Sequence, residues 1–411
     1  MSSESITTGM WEIHKDKPLP EKAGKESPRF KLIKNSIFLS GLSVFSQLYL
    51  FQPLLPQLCR QFHISPAHSS WAVSATTIGM AAGLFIFSFY ADRLSRKRLM
   101  SFAMIASSLL TLLTAAIPQF DLFICVNFLK GLLLSGVSAV ALAYLSEEVE
   151  TKVIGLAISL YLSGNALGGM AGRIAASFLA SWLGWRWAVV IIGANSLVLG
   201  ILFIKWLPAS HFFTPQTQTI KRKVHQMTLF IRHPFMIRIY IAAVFFMGSF
   251  VSVYNYLGFR LEAPPFELPH FIISSIFIMY TTGIIGTMIA GKWSDRMSPA
   301  RLIKGFILIM VIGLLLLLIP NLIAVIIGLG IFTFGFFAAH TMASRIISQL
   351  AREGKSTATS LYWLFYYAGS SFIGTGTGVI LSKWNWEVLI LCLLFVIILA
   401  LLLVRKITVR P

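Results

Sequence analysis

Twelve stretches of mainly apolar residues dominate this chain, lying at residues 36–57, 68–90, 99–118, 121–145, 152–181, 184–206, 236–258, 269–291, 302–320, 321–344, 357–381 and 387–404. A helix needs roughly 20 such residues to cross a bilayer. The ninth and tenth stretches are separated at Pro320 and Asn321, because one uninterrupted element there overshoots the bilayer. Only 12% of the 411 residues are charged, against about 25% in a soluble domain. The expected fold is an all-α membrane protein with twelve transmembrane helices.

The formal charge of +19 could signal a nucleic-acid partner, so its placement decides the matter. With the amino terminus inside, 28 of the 34 Lys and Arg residues fall in the two tails, the five inside loops and the last few residues of the spans at that side. Four remain at the outside, Arg60, Arg186, Arg260 and Lys383, along with two deep inside spans, Lys130 and Arg173. This asymmetry orients the chain with both termini cytoplasmic, and basic loops against anionic lipid need no nucleic acid. The expected division is a tail at 1–35, a six-helix half at 36–207, a linker at 208–235, a second half at 236–404 and a tail at 405–411. Cys59, Cys125 and Cys392 are far apart and offer no metal-ligand spacing.

The two halves repeat. Asp92-Arg93 after the second span returns as Asp295-Arg296 after the eighth, an offset of 203 residues. Gly131 and Gly136 in the fourth span return as Gly330 and Gly335 in the tenth, an offset of 199. Trp185-Arg186-Trp187 before the sixth span matches Trp384-Asn385-Trp386 before the twelfth. Parallel repeats of this kind put a binding site between them near mid-membrane.

On these landmarks the chain resembles the major facilitator superfamily. The loop Ser88-Phe-Tyr-Ala-Asp92-Arg93-Leu-Ser95-Arg96-Lys97 is similar to the family's loop signature, with Ser88 and Ser95 where that signature has glycine. The resemblance implies a conformational latch at Asp92, Arg93, Arg96, Asp295 and Arg296; the alternative is that these charges only fix topology. Ser163-Gly164-Asn165-Ala-Leu-Gly168-Gly169-Met-Ala-Gly172-Arg173 resembles the fifth-helix motif of the drug:proton antiporters in that family, with Asn165 in place of a proline. Small residues at these steps also serve any tight helix crossing.

Polar and aromatic residues concentrate in the spans that the resemblance assigns to a central cavity. Gln47, Tyr49 and Gln52 lie in span one, Tyr254, Asn255 and Tyr256 in span seven, and Tyr362, Trp363, Phe365, Tyr366 and Tyr367 in span eleven. Such a wall suits an amphipathic organic solute. Tyr254 and Tyr256 also fit the alternative of interfacial anchors.

Ionisable residues within spans are functional candidates because placing them there is costly. No acidic residue falls well inside a span, so the buried carboxylate of many proton-coupled carriers has no counterpart here. Lys130 lies nine residues past Asp121 and Arg173 nine residues before Trp182, on antiparallel neighbours. At 1.5 Å per residue both sit about 13 Å below the outer surface. Either they form one anion site or each snorkels to water. Asn127 occupies the fourth-span position where the family often has an arginine linked to proton coupling. His340, in span ten, is either a proton-coupling group or a histidine packed among aromatics and bonded to a backbone carbonyl.

These features predict a secondary carrier in a bacterial inner membrane that moves a small organic solute by proton-coupled efflux, needs no cofactor and acts as a monomer. The runner-up is proton-coupled import of an anionic nutrient or chelate, such as a carboxylate siderophore. An ATP-driven pump is excluded at its nearest match, Gly354-Lys355-Ser356, where Gln349 replaces the first required glycine. No paired carboxylates, metal set or nucleophile with a base lies within the spans, so an enzyme is not expected.

Overall fold

A computed structural model describes residues 21–90, 93–150, 152–213, 220–294, 296–351, 354–405 and 407. The first half runs α1 (Pro28–Leu48), α2 (Leu55–Phe62), α3 (Pro66–Ser69), α4 (Trp71–Tyr90), α5 (Arg96–Thr114), α6 (Phe120–Glu148), α7 (Ile154–Leu183) and α8 (Trp185–Trp206). After α9 (Ile220–Arg232) come α10 (Pro234–Glu262), α11 (His270–Ile273), α12 (Tyr280–Trp293), α13 (Pro299–Leu316), α14 (Leu322–Leu350), α15 (Lys355–Lys383) and α16 (Trp386–Arg405). Every apolar stretch becomes helical, and among the described residues ten runs are long and apolar enough to cross a membrane. The two other expected spans fall short by composition: α5 opens on Arg96-Lys97-Arg98, and α15 is rich in Ser, Thr, Gly and Tyr.

The repeat is carried by packing. Helices α1 and α7 pair as α10 and α15 do, α4 with α6 as α12 with α14, and α5 with α8 as α13 with α16. Gly164, Gly168 and Gly172 form the α7 stripe that meets α1, where added Cβ atoms would lie 2.3 to 2.6 Å from backbone atoms of Phe38, Leu42 and Ser46. The fifth-span motif is thus a helix crossing. On α16, Leu391, Phe395, Ile398 and Leu402 form one exposed apolar row, the surface a lipid-facing helix presents.

Several boundaries differ from the sequence reading. Helix α1 begins at Pro28, inside the expected tail, because the Ser27 hydroxyl accepts from the Phe30 N–H at 3.1 Å and Pro28 fits the first helical position. Basic residues end a hydropathy run without ending the hydrogen-bond ladder. The expected linker holds α9, whose Met227 is buried while Lys221 and Arg222 face out. Helix α10 starts at Pro234, capped by His233. The eighth span is broken by a 3₁₀ segment, Ser274–Met279.

The bonds that join the halves directly lie toward the end opposite the chain termini. There Ser74 and Thr375 hydroxyls meet at 2.5 Å, Thr77 and Ser371 at 2.8 Å, and Arg60 pairs with Glu262 at 2.9 Å. At the end bearing the termini, α9 lies between the halves. Lys223 donates to the Ser88 carbonyl on α4, while Thr357 on α15 donates to Gln226.

Candidate functional site

Span one breaks where its prolines remove donors. Pro53 has no N–H for the Tyr49 carbonyl, which accepts instead from Gln52 at 3.0 Å, and a 3₁₀ turn follows at Gln52–Leu54. The turn aims Gln52 at the junction of the halves. Its Oε1 accepts from Arg173 Nε at 2.6 Å, and its Nε2 donates to Asn255 Oδ1 at 2.8 Å. Arg173, Gln52 and Asn255 form a polar relay from α7 to α10. A small pocket beside it is lined by Gln52, Pro53, Ser177, Tyr254, Asn255 and Phe277.

Arg173 is the charged centre of this junction. Its side chain is 3% exposed and lies over the ring of Tyr49 at 4.3 Å and of Tyr280 at 4.7 Å. Nη1 donates to its own helix, to the Gly169 carbonyl at 2.5 Å. Described ion pairs lie elsewhere, at Arg29–Glu148, Arg60–Glu262, Arg96–Glu147 and Arg260–Glu387. No carboxylate of the described residues touches the guanidinium. Around it, Tyr280 Oη and Asn255 Nδ2 are buried without a hydrogen-bond partner among the described residues, and the Tyr49 and Ser370 hydroxyls lie beside each other without a bond of good geometry.

From Tyr280 an aromatic wall continues through the second half. Phe250 stacks on Phe336 at 3.9 Å and meets Tyr280 edge-on at 5.5 Å. His340 then lies 6.1 Å from Phe336, 5.5 Å from Trp363 and 4.9 Å from Tyr366. Its Nδ1 shares a 2.6 Å hydrogen bond with the Tyr362 hydroxyl, so its partner is a phenol rather than a backbone carbonyl.

The structure separates the two buried cations. Lys130 is fully buried; its Nζ donates to Asn127 Oδ1 at 2.6 Å and lies 4.7 Å from the centre of the Phe51 ring. Asn127 also donates to the Phe123 carbonyl and accepts from Thr76 at 3.4 Å. All these partners belong to the first half, and none is a partner of Arg173. The two cations thus have separate polar partners, Asn127 for Lys130 and Gln52 with the Gly169 carbonyl for Arg173.

Other sequence candidates disperse. Gln47 turns toward α5, accepting from Thr111 at 2.8 Å and donating to Ser43, so it is interhelical glue and not cleft lining. Asn165 packs against Gly41 of α1, its Oδ1 unpaired. Tyr254 and Tyr256 are buried rather than interfacial, bonded to Thr333 at 2.8 Å and to the Gly374 carbonyl at 2.8 Å. Of the latch residues, Asp92 and Asp295 lie outside the described residues; Arg93 and Arg296 are exposed. Arg96 pairs with Glu147 of α6 at 2.9 Å within the first half and stacks on Phe213 at 4.8 Å. Sequence reasoning missed Tyr280 and Ser370, whose only signal is position beside a broken span and an aromatic run.

The sequence pattern of the Major Facilitator Superfamily matches residues 37–375. The chain is 34% identical to the MFS-type transporter YybF of Bacillus subtilis, over 92% of this chain and 93% of that one. It is 33% identical to the inner membrane transport protein YnfM of Escherichia coli, over 88% and 87%. Among solved structures, a bacterial homologue of the human lysosomal transporter Spinster in an inward-facing, occupied conformation superposes with TM-score 0.76 at 14% identity, covering 92% of this chain and 97% of that one. A D-xylose–proton symporter superposes with TM-score 0.75 at 15% identity, covering 92% and 98%.

Proposed function

Since this chain belongs to the Major Facilitator Superfamily and is a multi-pass membrane transporter, we propose that it moves a small organic solute across a bacterial inner membrane by alternating access, using the proton gradient. The observation that carries this reading is the Arg173 junction: a buried cation with no acidic partner among the described residues, placed where the two repeat halves meet. A site shared by two bodies that rock against each other is the basis of alternating access.

With both termini cytoplasmic, as the charge asymmetry requires, the bonded far end is the outer gate. Export draws support from the antiporter-like run ending at Arg173. Import is the second reading, favoured by one observation: Arg173 lacks an acidic partner among the described residues, as an anion-binding site requires.

Accumulation of anionic, neutral and cationic compounds in inverted vesicles, with and without a pH gradient, tests both. Gradient-driven uptake into these vesicles supports export, and gradient-driven depletion supports import. Equal flux with and without the gradient would overturn proton coupling. In the same assay His340→Ala reports on coupling, since full gradient dependence in that variant removes His340 as the sole coupling group.

A further inference from the structure

The proposed carrier's substrate class is inscribed in the surroundings of Arg173. Three observations converge. The first is charge. The guanidinium uses Nε on Gln52 and Nη1 on Gly169, and Nη2 has no partner among the described residues. A buried cation without a counter-charge is unfavourable until an anion arrives, and a carboxylate suits the guanidinium fork.

The second is the set of unmade hydrogen bonds. Tyr49 Oη, Tyr280 Oη, Ser370 Oγ and Asn255 Nδ2 belong to residues at most 6% exposed. Tyr49 and Tyr280 hold their rings 4.3 and 4.7 Å from the Arg173 guanidinium, and Asn255 is reached from it through Gln52. These groups can all donate, and oxygen lone pairs of one oxyanion can accept from several of them. Tyr49 and Ser370 lie close enough to interact with each other, which leaves Tyr280 Oη and Asn255 Nδ2 idle; native structures leave few buried donors so, which points to an absent acceptor.

The third is the wall beyond. Tyr280 meets Phe250 at 5.5 Å, Phe250 stacks on Phe336 at 3.9 Å and Phe336 lies 6.5 Å from Tyr366, so a run of rings leads from the Arg173 surroundings to Tyr366. Trp363, Tyr366 and His340 are each only half-buried and face one another at 4.9 to 5.5 Å. Rings arranged this way stack on a flat body. An organic cation is disfavoured, because the Tyr49 and Tyr280 faces that would receive it already hold Arg173.

We infer that the junction of the halves at Arg173 takes a small aromatic carboxylate, its oxyanion on Arg173 and the neighbouring hydroxyls, its ring on the Trp363 and Tyr366 wall. The inference rests on the carrier reading for its biological meaning, but the binding site is testable separately.

Calorimetric titration of the purified full-length protein with 2-naphthoate, 2-naphthamide, acetate and 2-naphthylmethyl-trimethylammonium is the direct experiment. The expected result is that naphthoate binds at least about tenfold tighter than the other three. Arg173→Gln should lose that preference, and Tyr366→Leu should weaken naphthoate several-fold while keeping its advantage over the amide. Tyr49→Phe, which keeps the ring and removes one hydroxyl, gives a smaller loss and serves if Arg173→Gln does not fold. The inference falls if naphthoate fails to bind, if the amide or the cation binds as tightly, or if both Arg173→Gln and Tyr49→Phe leave naphthoate binding unchanged. Flux of the same probes in proteoliposomes separates the two levels. Naphthoate that binds without crossing overturns the carrier reading and leaves the site standing; a cation that crosses while naphthoate does not bind overturns the site and leaves the carrier.

Discussion

The two halves of this transporter use the same helix pairs, α1 with α7 and α10 with α15, yet they give the cleft between them different chemistry. The first half brings a cation and amides, Arg173 and Gln52, on a backbone broken by Pro53. The second brings rings, from Tyr280 through Phe336 to His340 and Tyr366, with Asn255 as the one amide that answers across. Close packing depends on where small residues sit, which a repeat inherits easily. Cleft chemistry depends on a few side chains that can diverge without disturbing that packing. The result is an amphipathic cleft from nearly symmetric scaffolding.

The sharpest test of that comparison substitutes the repeat's own glycines. A Cβ on Gly131 would lie 1.9 Å from the Thr76 carbonyl oxygen, whereas on Gly330 the nearest atom is Met279 Sδ at 3.4 Å. Gly131→Ala should therefore cost about 1–3 kcal/mol or more by overpacking, read as a drop in thermal unfolding temperature, while Gly330→Ala stays close to the parent. Equal losses would mean that the halves share more than helix pairing.

The next test contrasts the two cations. Lys130→Met removes an amine held only by Asn127 and the Phe51 face among the described residues. Replacing a desolvated charge by an apolar side chain of similar size should raise stability by about 1 kcal/mol or more. Vesicle flux should persist. A loss of stability instead would show that Asn127 and the Phe51 face hold the ammonium well enough to offset its desolvation.

A smaller effect is expected in the aromatic half. Tyr362→Phe deletes the hydroxyl that meets His340 Nδ1, at about 1 kcal/mol of stability, and leaves the ring stack in place. Unfolding temperature checks it, with Tyr366→Phe as the control whose hydroxyl does not bond His340. Smallest of all is Gln52→Ala. Losing the bond to Asn255 should cost this conformation about 0.5–1 kcal/mol, shifting the balance of access states roughly two- to fivefold toward separation of the far ends. Spin-label distances across that end measure the shift, and an unchanged distribution would show that the relay does not hold the halves together.

Much of this architecture is legible in the sequence because it follows from local quantities. Apolar length sets the spans, recurrent glycine and tryptophan spacing reveals the halves, and Asn321 marks the start of α14 by capping it through the Ile323 and Ala324 N–H groups. The site is less legible. Gln47 and Gln52 look alike in the same stretch, yet one bonds Thr111 and the other Arg173. The difference is the 3₁₀ turn between them and the helix next to each, neither of which hydropathy records. Lys130 and Arg173 share a depth because rise per residue is fixed, but rotation about each helix axis comes from packing.

By itself the sequence determined a membrane protein of two six-helix repeats and singled out two cations that topology does not require. Those conclusions need only the energetic cost of polar groups in lipid, which acts residue by residue along the chain. Only the tertiary structure decided that Lys130 is enclosed within one half, that Arg173 stands at the junction of both, and that hydroxyls and an aromatic wall surround it. Contact across halves joins residues some 200 positions apart, such as Gln52 and Asn255. Such contacts are set by how helices turn and tilt against one another, which no local pattern encodes.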